Sequence, residues 1–484
     1  MRPIAGNLAV GYGTGERRPM REGNPLEPNT RLCEEMLSPY NLEVAVQNVK
    51  RNKGSAGVDG MRVEELDAFM RDGWPRIREQ ILARKYKPKP VKRVEIPKDN
   101  GGVRLLGVPC VVDRVIQQAM VQVLTPVFEP TFSDFSYGFR PNRSAEDAVR
   151  KAQEYMAEGY NHVVDLDLSK FFDTVNHDLL MTFVDRTLED KDIRRLIFSY
   201  LKSGVMTDGS FHATEEGTPQ GGPLSPMLSN IYLTPYDKEL EKRGLRFVRY
   251  ADDCNVFTRS KYSCRRVKDS IIRFLEGRMK LRVNMDKTEA RTSVGSSFLG
   301  FTFTTLRGKK GSLGYCRPKQ KKLDAFTKRI REILKRNRGV SIKTVISELN
   351  AYIRGWINYY ARSNISGWLT AKASWIRRKI WCYLYKQWKT KENRIEKLKE
   401  MGASKQWLMR WVKGLGNQSY WKMSKIVATS ITVDRFYMET GLIDIMALYK
   451  RQHSERMMMD RCHNSQLEFI FDGTAVYRTV RTVV

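Results

Sequence analysis

Tyr250-Ala251-Asp252-Asp253 stands between two short apolar runs, Phe247-Val248 and Val256-Phe257, and reads as a strand pair folded back on a tight turn with two carboxylates at its tip. A second acidic strand, Val163-Val164-Asp165-Leu166-Asp167-Leu168, can close a site against it. Side chains alternate along a strand, so Asp165 and Asp167 share one face and the leucines take the other. Three carboxylates from two neighbouring strands suit a pair of hard cations. Two Mg²⁺ ions roughly 3.5–4 Å apart clamp the in-line attack of a 3′-hydroxyl on a nucleotide phosphate. Adjacent aspartates are also common in plain turns, because their side chains bond nearby backbone N–H groups. The surroundings must decide between the two.

Around Asp167 the chain reads Asp167-Leu168-Ser169-Lys170-Phe171-Phe172-Asp173, and upstream of Tyr250 stands Thr218-Pro219-Gln220-Gly221-Gly222-Pro223-Leu224-Ser225-Pro226. These blocks, in this order, resemble the reverse transcriptase/maturase of bacterial group II introns, and the spacing looks most like the endonuclease-lacking class called group IIC. The resemblance spans residues 34 to 450. It implies an α+β right-hand polymerase: fingers and palm of antiparallel sheet plus helices, then an α-helical thumb and a small basic C-terminal region. The implied boundaries are a flexible leader at 1–30, an N-terminal block and fingers at 31–160, a palm at 161–312, a thumb or maturase domain at 313–392 and a DNA-binding region at 393–484.

The same resemblance assigns roles. Asp167 and Asp252 are expected to bind metal most directly, with Asp253 assisting, while Asp165 and Asp173 match no ligand position. Lys98 and Arg104, near the tip of a hairpin around Asp99-Asn100-Gly101-Gly102, match the triphosphate-binding cations. Phe172 matches the ring that excludes a ribose 2′-hydroxyl, with Phe171 the competing choice if the register is off by one. Gln220 matches a glutamine that touches the incoming nucleotide, the alternative being a plain loop before a helix from Leu224; its neighbouring glycines let backbone approach a ligand. Lys287, in Leu281-Arg282-Val283-Asn284-Met285-Asp286-Lys287-Thr288, matches a lysine able to protonate departing pyrophosphate. Arg140, in Phe135-Ser136-Tyr137-Gly138-Phe139-Arg140-Pro141, is a candidate nucleotide or template contact. Arg354 and Trp356, in Arg354-Gly355-Trp356-Ile357-Asn358-Tyr359-Tyr360, resemble a maturase motif, and Arg377 and Arg378 on the next helical run join them as candidate nucleic-acid contacts.

Composition points the same way without any family. Lys+Arg of 85 against Asp+Glu of 54 leaves a formal charge of +31, the footprint of a phosphate-bearing partner. The charge is uneven: Arg317 to Lys425 holds 28 Lys/Arg and 6 Asp/Glu, a surplus of 22, and eight of the nine tryptophans. Cations among aromatics suit backbone neutralisation with base stacking, although most of these tryptophans should be core. Seven cysteines with no CxxC pair argue against a zinc module or disulfide framework and for a reducing compartment. No apolar run reaches the roughly 18 residues that span a bilayer.

Coarse patterning places these blocks. Asn41 should cap a helix through Val49; Val91–Pro97 and Val103–Val108 alternate as strands; Asp113 should open a helix, and Ser144 with Asp147 should cap another. Phe298 to Phe303 reads as an apolar strand interrupted by Gly300, which would let a primer backbone lie against it. Three basic helical runs follow residue 315, and Trp407, Trp411 and Trp421 mark a final basic segment.

The expected function is therefore that of an RNA-directed DNA polymerase and maturase using two Mg²⁺ ions and dNTPs. It would bind group II intron RNA, promote splicing, and copy the intron during retrohoming onto target DNA from a borrowed primer, holding an RNA–DNA hybrid. The expected location is cytoplasmic, nucleoid-associated during integration, with no membrane partner and homodimerisation left open. The rival readings are a splicing-only RNA-binding maturase and a host-domesticated relative in repair or defence.

Overall fold

The computed structural model describes residues 31–97, 103–207, 209–219, 221–304, 315–404, 406, 408 and 431–458, without the side chain of Arg104. The expected leader at 1–30 and the tryptophans at 407, 411 and 421 lie outside them. The chain divides into two compact units, Met1–Leu299 and Gly300–Val484, each with its own apolar core. Among the described residues no helix is long and apolar enough to cross a membrane.

Among the described residues of the first unit, two four-stranded sheets are built from eight strands, with a further short strand at Ser297–Phe298. The eight are β1 (Val91–Pro97), β2 (Val103–Val108), β3 (His162–Leu166), β4 (Val205–Thr207), β5 (Ser210–His212), β6 (Arg246–Tyr250), β7 (Asp253–Thr258) and β8 (Glu289–Thr292). One sheet has the order β2-β1-β4-β5, built on the expected β1/β2 hairpin, to whose start β4 adds in parallel, Val91 opposite Val205. The other, β6-β7-β3-β8, is antiparallel throughout and carries the acidic residues.

The Val111–Phe128 helix runs through this unit's core. Its apolar residues occur on every side, and even Asp113, Arg114, Gln117 and Gln118 are buried, as expected for a helix covered all round. The Pro39–Asn52 helix packs on it, but its cap is Ser38, whose hydroxyl accepts from Asn41 N at 3.4 Å. Pro39 fits the first helical position, which moves the start upstream of Asn41. The Asn41 amide instead donates to Met36 O and Ala119 O, tying the two helices together. Ser144 and Asp147 form the expected capping box.

In the second unit the helices Gln320–Ile333, Ile342–Tyr360 and Ser366–Gln387 present buried stripes at three- and four-residue spacing: Phe326, Ile330 and Ile333; Leu349, Ile353 and Ile357; Leu369, Ala373, Ile376 and Ile380. Trp381 is fully buried, and Trp356, Trp368, Trp375 and Trp388 pack on the same core from its outer side. The apolar run from Phe298 is interrupted at Leu299 and Gly300, between the strands Ser297–Phe298 and Phe301–Thr304. Leu299 and Gly300 take φ of 50° and 83°, and a side chain at Gly300 would meet the Tyr360 hydroxyl at 2.9 Å. That glycine makes room for Tyr360.

Asp113 lies inside the helix it was expected to open, its carboxylate accepting from Tyr86 OH at 2.7 Å and Tyr200 OH at 3.2 Å. Burial pushes its carboxyl up from the ordinary 3.8 to about 6, against the pull of both hydroxyls. Because the folded state binds this proton more tightly, the associated stability is present below about pH 4 and lost as pH rises through about 6. Asp113→Asn should therefore gain on wild type by about 1–3 kcal/mol between pH 4 and 7 in urea unfolding. A constant difference across that range would mean Asp113 carries no such proton linkage.

Candidate active site

Strand register brings the acidic residues together. In the β3/β7 pair Leu166 lies opposite Cys254, and extending that register by one residue sets Asp167 across from Asp253. In the β6/β7 hairpin Tyr250 pairs with Asp253, so Ala251 and Asp252 form the turn itself. Asp167 and Asp252 are half-exposed and Asp253 exposed, at the solvent end of strands whose middles are buried. Asp165 lies two pairs further in, opposite Asn255, with its carboxylate 3.4 Å from the Arg291 guanidinium. Among the described residues no group of three or more His, Cys, Asp or Glu is gathered as a ready-made metal cage. Hard carboxylate oxygens that share an ion with a ligand's phosphates need no such cage.

The turn is held from beneath by Arg249, which is 1% exposed by side chain. Its guanidinium grips the fully buried Asp237 through two bonds, Nε to Oδ1 at 2.7 Å and Nη2 to Oδ2 at 2.6 Å. Nη1 reaches the other way, to Asn230 Oδ1 at 3.0 Å and to the Ala251 carbonyl at 2.8 Å. That carbonyl belongs to the peptide leading into Asp252. Ala251 itself adopts φ of 57°, a left-handed conformation that costs a non-glycine residue energy and persists only under outside constraint. Burial works against the Arg249 charge, yet Asp237 holds its pKa above the ordinary value.

A second strap comes from the Phe135–Phe139 block. Arg249 N donates to Phe135 O at 2.9 Å and Tyr137 N to Arg249 O at 2.8 Å. Gly138 sits against the Ala251 amide so closely that no side chain would fit, and its carbonyl accepts from Asn230 Nδ2 at 2.8 Å.

Asp167 is clamped by the 282–288 segment. Asn284 donates twice, backbone N to Asp167 O at 2.9 Å and Nδ2 to Oδ2 at 2.9 Å. Lys287 Nζ stands 3.3 Å from the same Oδ2, with Lys287 62% exposed. Asp167 N donates to the Thr288 hydroxyl at 3.2 Å. The segment thus orients one carboxylate and sets a mobile cation beside it.

Among the expected nucleotide contacts, Phe172 is half-exposed, whereas Phe171 is 2% exposed and packs edge-on against Tyr232 at 6.3 Å. Thr218 N donates to Phe172 O at 2.6 Å, so the loop beginning Thr218-Pro219 is strapped to that backbone. Gly221 and Gly222 serve packing: a side chain at Gly221 would meet Gly107 O at 2.5 Å, and one at Gly222 would strike the Gln117 amide. They therefore fit closely against neighbouring backbone and side chain. Gln220, Lys98 and the Arg104 side chain lie outside the described residues; the Arg104 backbone pairs with Ile96 in the hairpin.

Arg140 is not a surface contact. It is 5% exposed, salt-bridged to Glu129 at 2.8 Å and donating to the carbonyls of Ser133 and Ser136, which makes it a brace for the Phe135–Phe139 block. In the second unit Arg354 is exposed, but Trp356 is wedged between Phe326 at 4.7 Å, Tyr360 at 4.8 Å and Trp368 at 5.6 Å. Arg377 is half-buried with Nη1 on Tyr437 OH at 2.9 Å, and Arg378 is half-buried beside it. Packing occupies Trp356 and Arg377, which weakens the expectation that either is a nucleic-acid contact.

Residues 96–303 match the reverse transcriptase (RNA-dependent DNA polymerase) family profile, and residues 323–402 match the group II intron, maturase-specific domain. Protein YkfC of Escherichia coli K12 is 34% identical over 324 residues, covering 58% of this chain and 85% of that protein. The group II intron-encoded protein LtrA of Lactococcus lactis is 29% identical over 425 residues, covering 68% of this chain and 70% of LtrA. The mitochondrial nuclear intron maturase 1 of Arabidopsis thaliana is 34% identical over 94 residues, 19% of this chain and 13% of that protein. The chain belongs to the group II intron reverse transcriptase/maturase family. It is an RNA-directed DNA polymerase of the α+β reverse-transcriptase fold, and its relatives tie it to intron RNA.

Arg249, Asp237, Asn230 and Asn284 were not evident from sequence. The one signal for Arg249 was a cation placed between the apolar pair Phe247-Val248 and the Tyr250 turn. Arg249→Met, which orphans a buried carboxylate, should cost about 3–5 kcal/mol in urea unfolding. The double variant Arg249→Met/Asp237→Leu should recover most of that stability yet extend primers at least tenfold more slowly, because the Ala251 carbonyl stays unsupported. Full activity in the double variant would contradict the support role.

Proposed function

We propose that this protein polymerises DNA on an RNA template by nucleotidyl transfer at Asp167, Asp252 and Asp253, and that it also serves as the maturase of a group II intron. The observation carrying the polymerase half is the register that sets Asp167 across from Asp253 beside the Ala251-Asp252 turn. These carboxylates are hard oxygen donors on converging strand ends, which fits Mg²⁺ shared between protein and substrate phosphates. A bound pair of Mg²⁺ ions would activate the primer 3′-hydroxyl and stabilise the charge that develops on the leaving pyrophosphate.

The chain's own residues supply alignment. Arg249 holds the peptide before Asp252, and Asn284 fixes the rotamer of Asp167. Phe172, the ring left half-exposed while Phe171 is buried, is the residue that would lie under the incoming sugar and reject a 2′-hydroxyl. Lys287 keeps an exposed ammonium beside Asp167, from which it would donate a proton to departing pyrophosphate. Lys98, Arg104 and Gln220 complete the proposed nucleotide site. In this reading residues 31–160 work as N-terminal block and fingers, 161–312 as palm, 313–392 as thumb and 393–484 as a DNA-binding region.

The basic helical unit would grip intron RNA, promote splicing, and keep the RNA–DNA hybrid engaged while the intron is copied into target DNA from a borrowed primer. Such a cycle of retrohoming belongs in the cytoplasm and at the nucleoid. The paired roles separate experimentally. Asp252→Ala with Asp253→Ala should abolish primer extension on an RNA template while leaving intron binding and splicing assistance within about twofold; equal loss of both would argue for a single shared site. Phe172→Ala should admit ribonucleotides at least tenfold more readily in single-nucleotide incorporation, and unchanged discrimination would remove it as the gate. Raising salt from about 50 to 200 mM should weaken intron affinity by roughly 10³-fold or more, as multiple phosphate contacts require. A flat response would deny the basic unit a phosphate surface.

A further inference from the structure

Trp375 lies on the outer side of the second unit's core, half-exposed, at the centre of a cluster of cations. Lys372 Nζ stands 5.4 Å from its ring centroid, Arg331 Cζ 5.8 Å and Lys379 Nζ 5.9 Å. Lys372 also lies 5.4 Å from the ring of Trp368. Trp368, Lys372, Trp375 and Lys379 recur every three or four residues along the Ser366–Gln387 helix, hence on one face, and Arg331 reaches them from the Gln320–Ile333 helix. One cation over an indole is a common stabilising contact. Here three stand around the same ring, and burial and then Arg331 hold the Lys372 ammonium below its ordinary pKa, with Asp324 opposing.

We propose that Trp375, Arg331, Lys372 and Lys379 form a binding site for an unpaired nucleotide of RNA, the indole stacking on its base and the three cations taking its flanking phosphates. The combination selects this ligand. Phosphate oxygens relieve the crowding of like charge. An aromatic face adds affinity only where a base is not already stacked on both sides, which excludes the interior of a duplex and favours a loop, bulge or single strand. This site deepens the RNA-binding role proposed above and rests on it.

The test is fluorescence polarisation with the full-length protein and two labelled RNAs, a hairpin with an unpaired loop and the same stem as a fully paired duplex. Trp375→Ala should weaken loop binding roughly five- to a hundredfold while duplex binding changes less than twofold. Trp375→Phe, which keeps a ring, should restore most of the loss. Arg331→Gln with Lys372→Gln, which removes one exposed and one half-buried charge, should lower the slope of log Kd against log salt by about 0.7 for each phosphate left without its cation. Melting temperature should stay at the wild-type value in the charge variant. Equal losses on both RNAs, or an unchanged loop affinity and salt slope, would overturn the site. A wild-type protein that binds neither RNA would instead overturn the RNA-binding reading beneath it.

Discussion

The chemistry of the first unit depends on a buried ion pair. Taking a guanidinium and a carboxylate out of water is unfavourable unless both are fully hydrogen-bonded, and Arg249 and Asp237 meet that condition through two parallel bonds. What the pair contributes beyond stability is direction. With two nitrogens fixed on Asp237, the third is aimed at the Ala251 carbonyl, and a turn that would otherwise relax from its left-handed backbone is held. A lysine could neutralise Asp237 but has no rigid fork with which to do both.

Around this pair the structure adds constraints from distant parts of the chain. Asn230 bridges Arg249 to the Gly138 carbonyl, and Arg140 binds the backbone of the block that contains Gly138. The 282–288 segment acts on Asp167 in the same way, through one backbone and one amide bond from Asn284. The Asp167 carboxylate and the peptide leading into Asp252 are thus each backed by a half-buried or buried polar partner, Asn284 and Arg249, a pattern suited to groups that must stay aligned while substrates exchange.

The acidic strands, the hairpin and the three helices of the second unit were legible because period-two and period-3.6 patterns follow directly from side-chain geometry. Asp167 and the Asp252-Asp253 turn were legible because chemistry restricts the residue types there. Arg249 was not, since alternation marks only which residues share a face; it does not reveal that both faces of β6 are covered, so a cation there looks solvated. Arg140 failed for a related reason: a sequence cannot tell a charge bound to internal carbonyls from one bound to a template. At Gly221, Gly222 and Gly300 the sequence shows that a neighbour must come close, but not which one.

The central claim is that Asp167 and the Asp252-Asp253 turn, distant in sequence, act on the same divalent ions. Electron paramagnetic resonance titration of Mn²⁺ into the protein with primer, RNA template and a non-hydrolysable dNTP measures this without turnover. Asp167→Asn and Asp252→Asn should each reduce the number or affinity of bound ions, and the double variant should lose little more than either alone. Additive losses, or full Mn²⁺ binding by Asp167→Asn, would contradict a shared site.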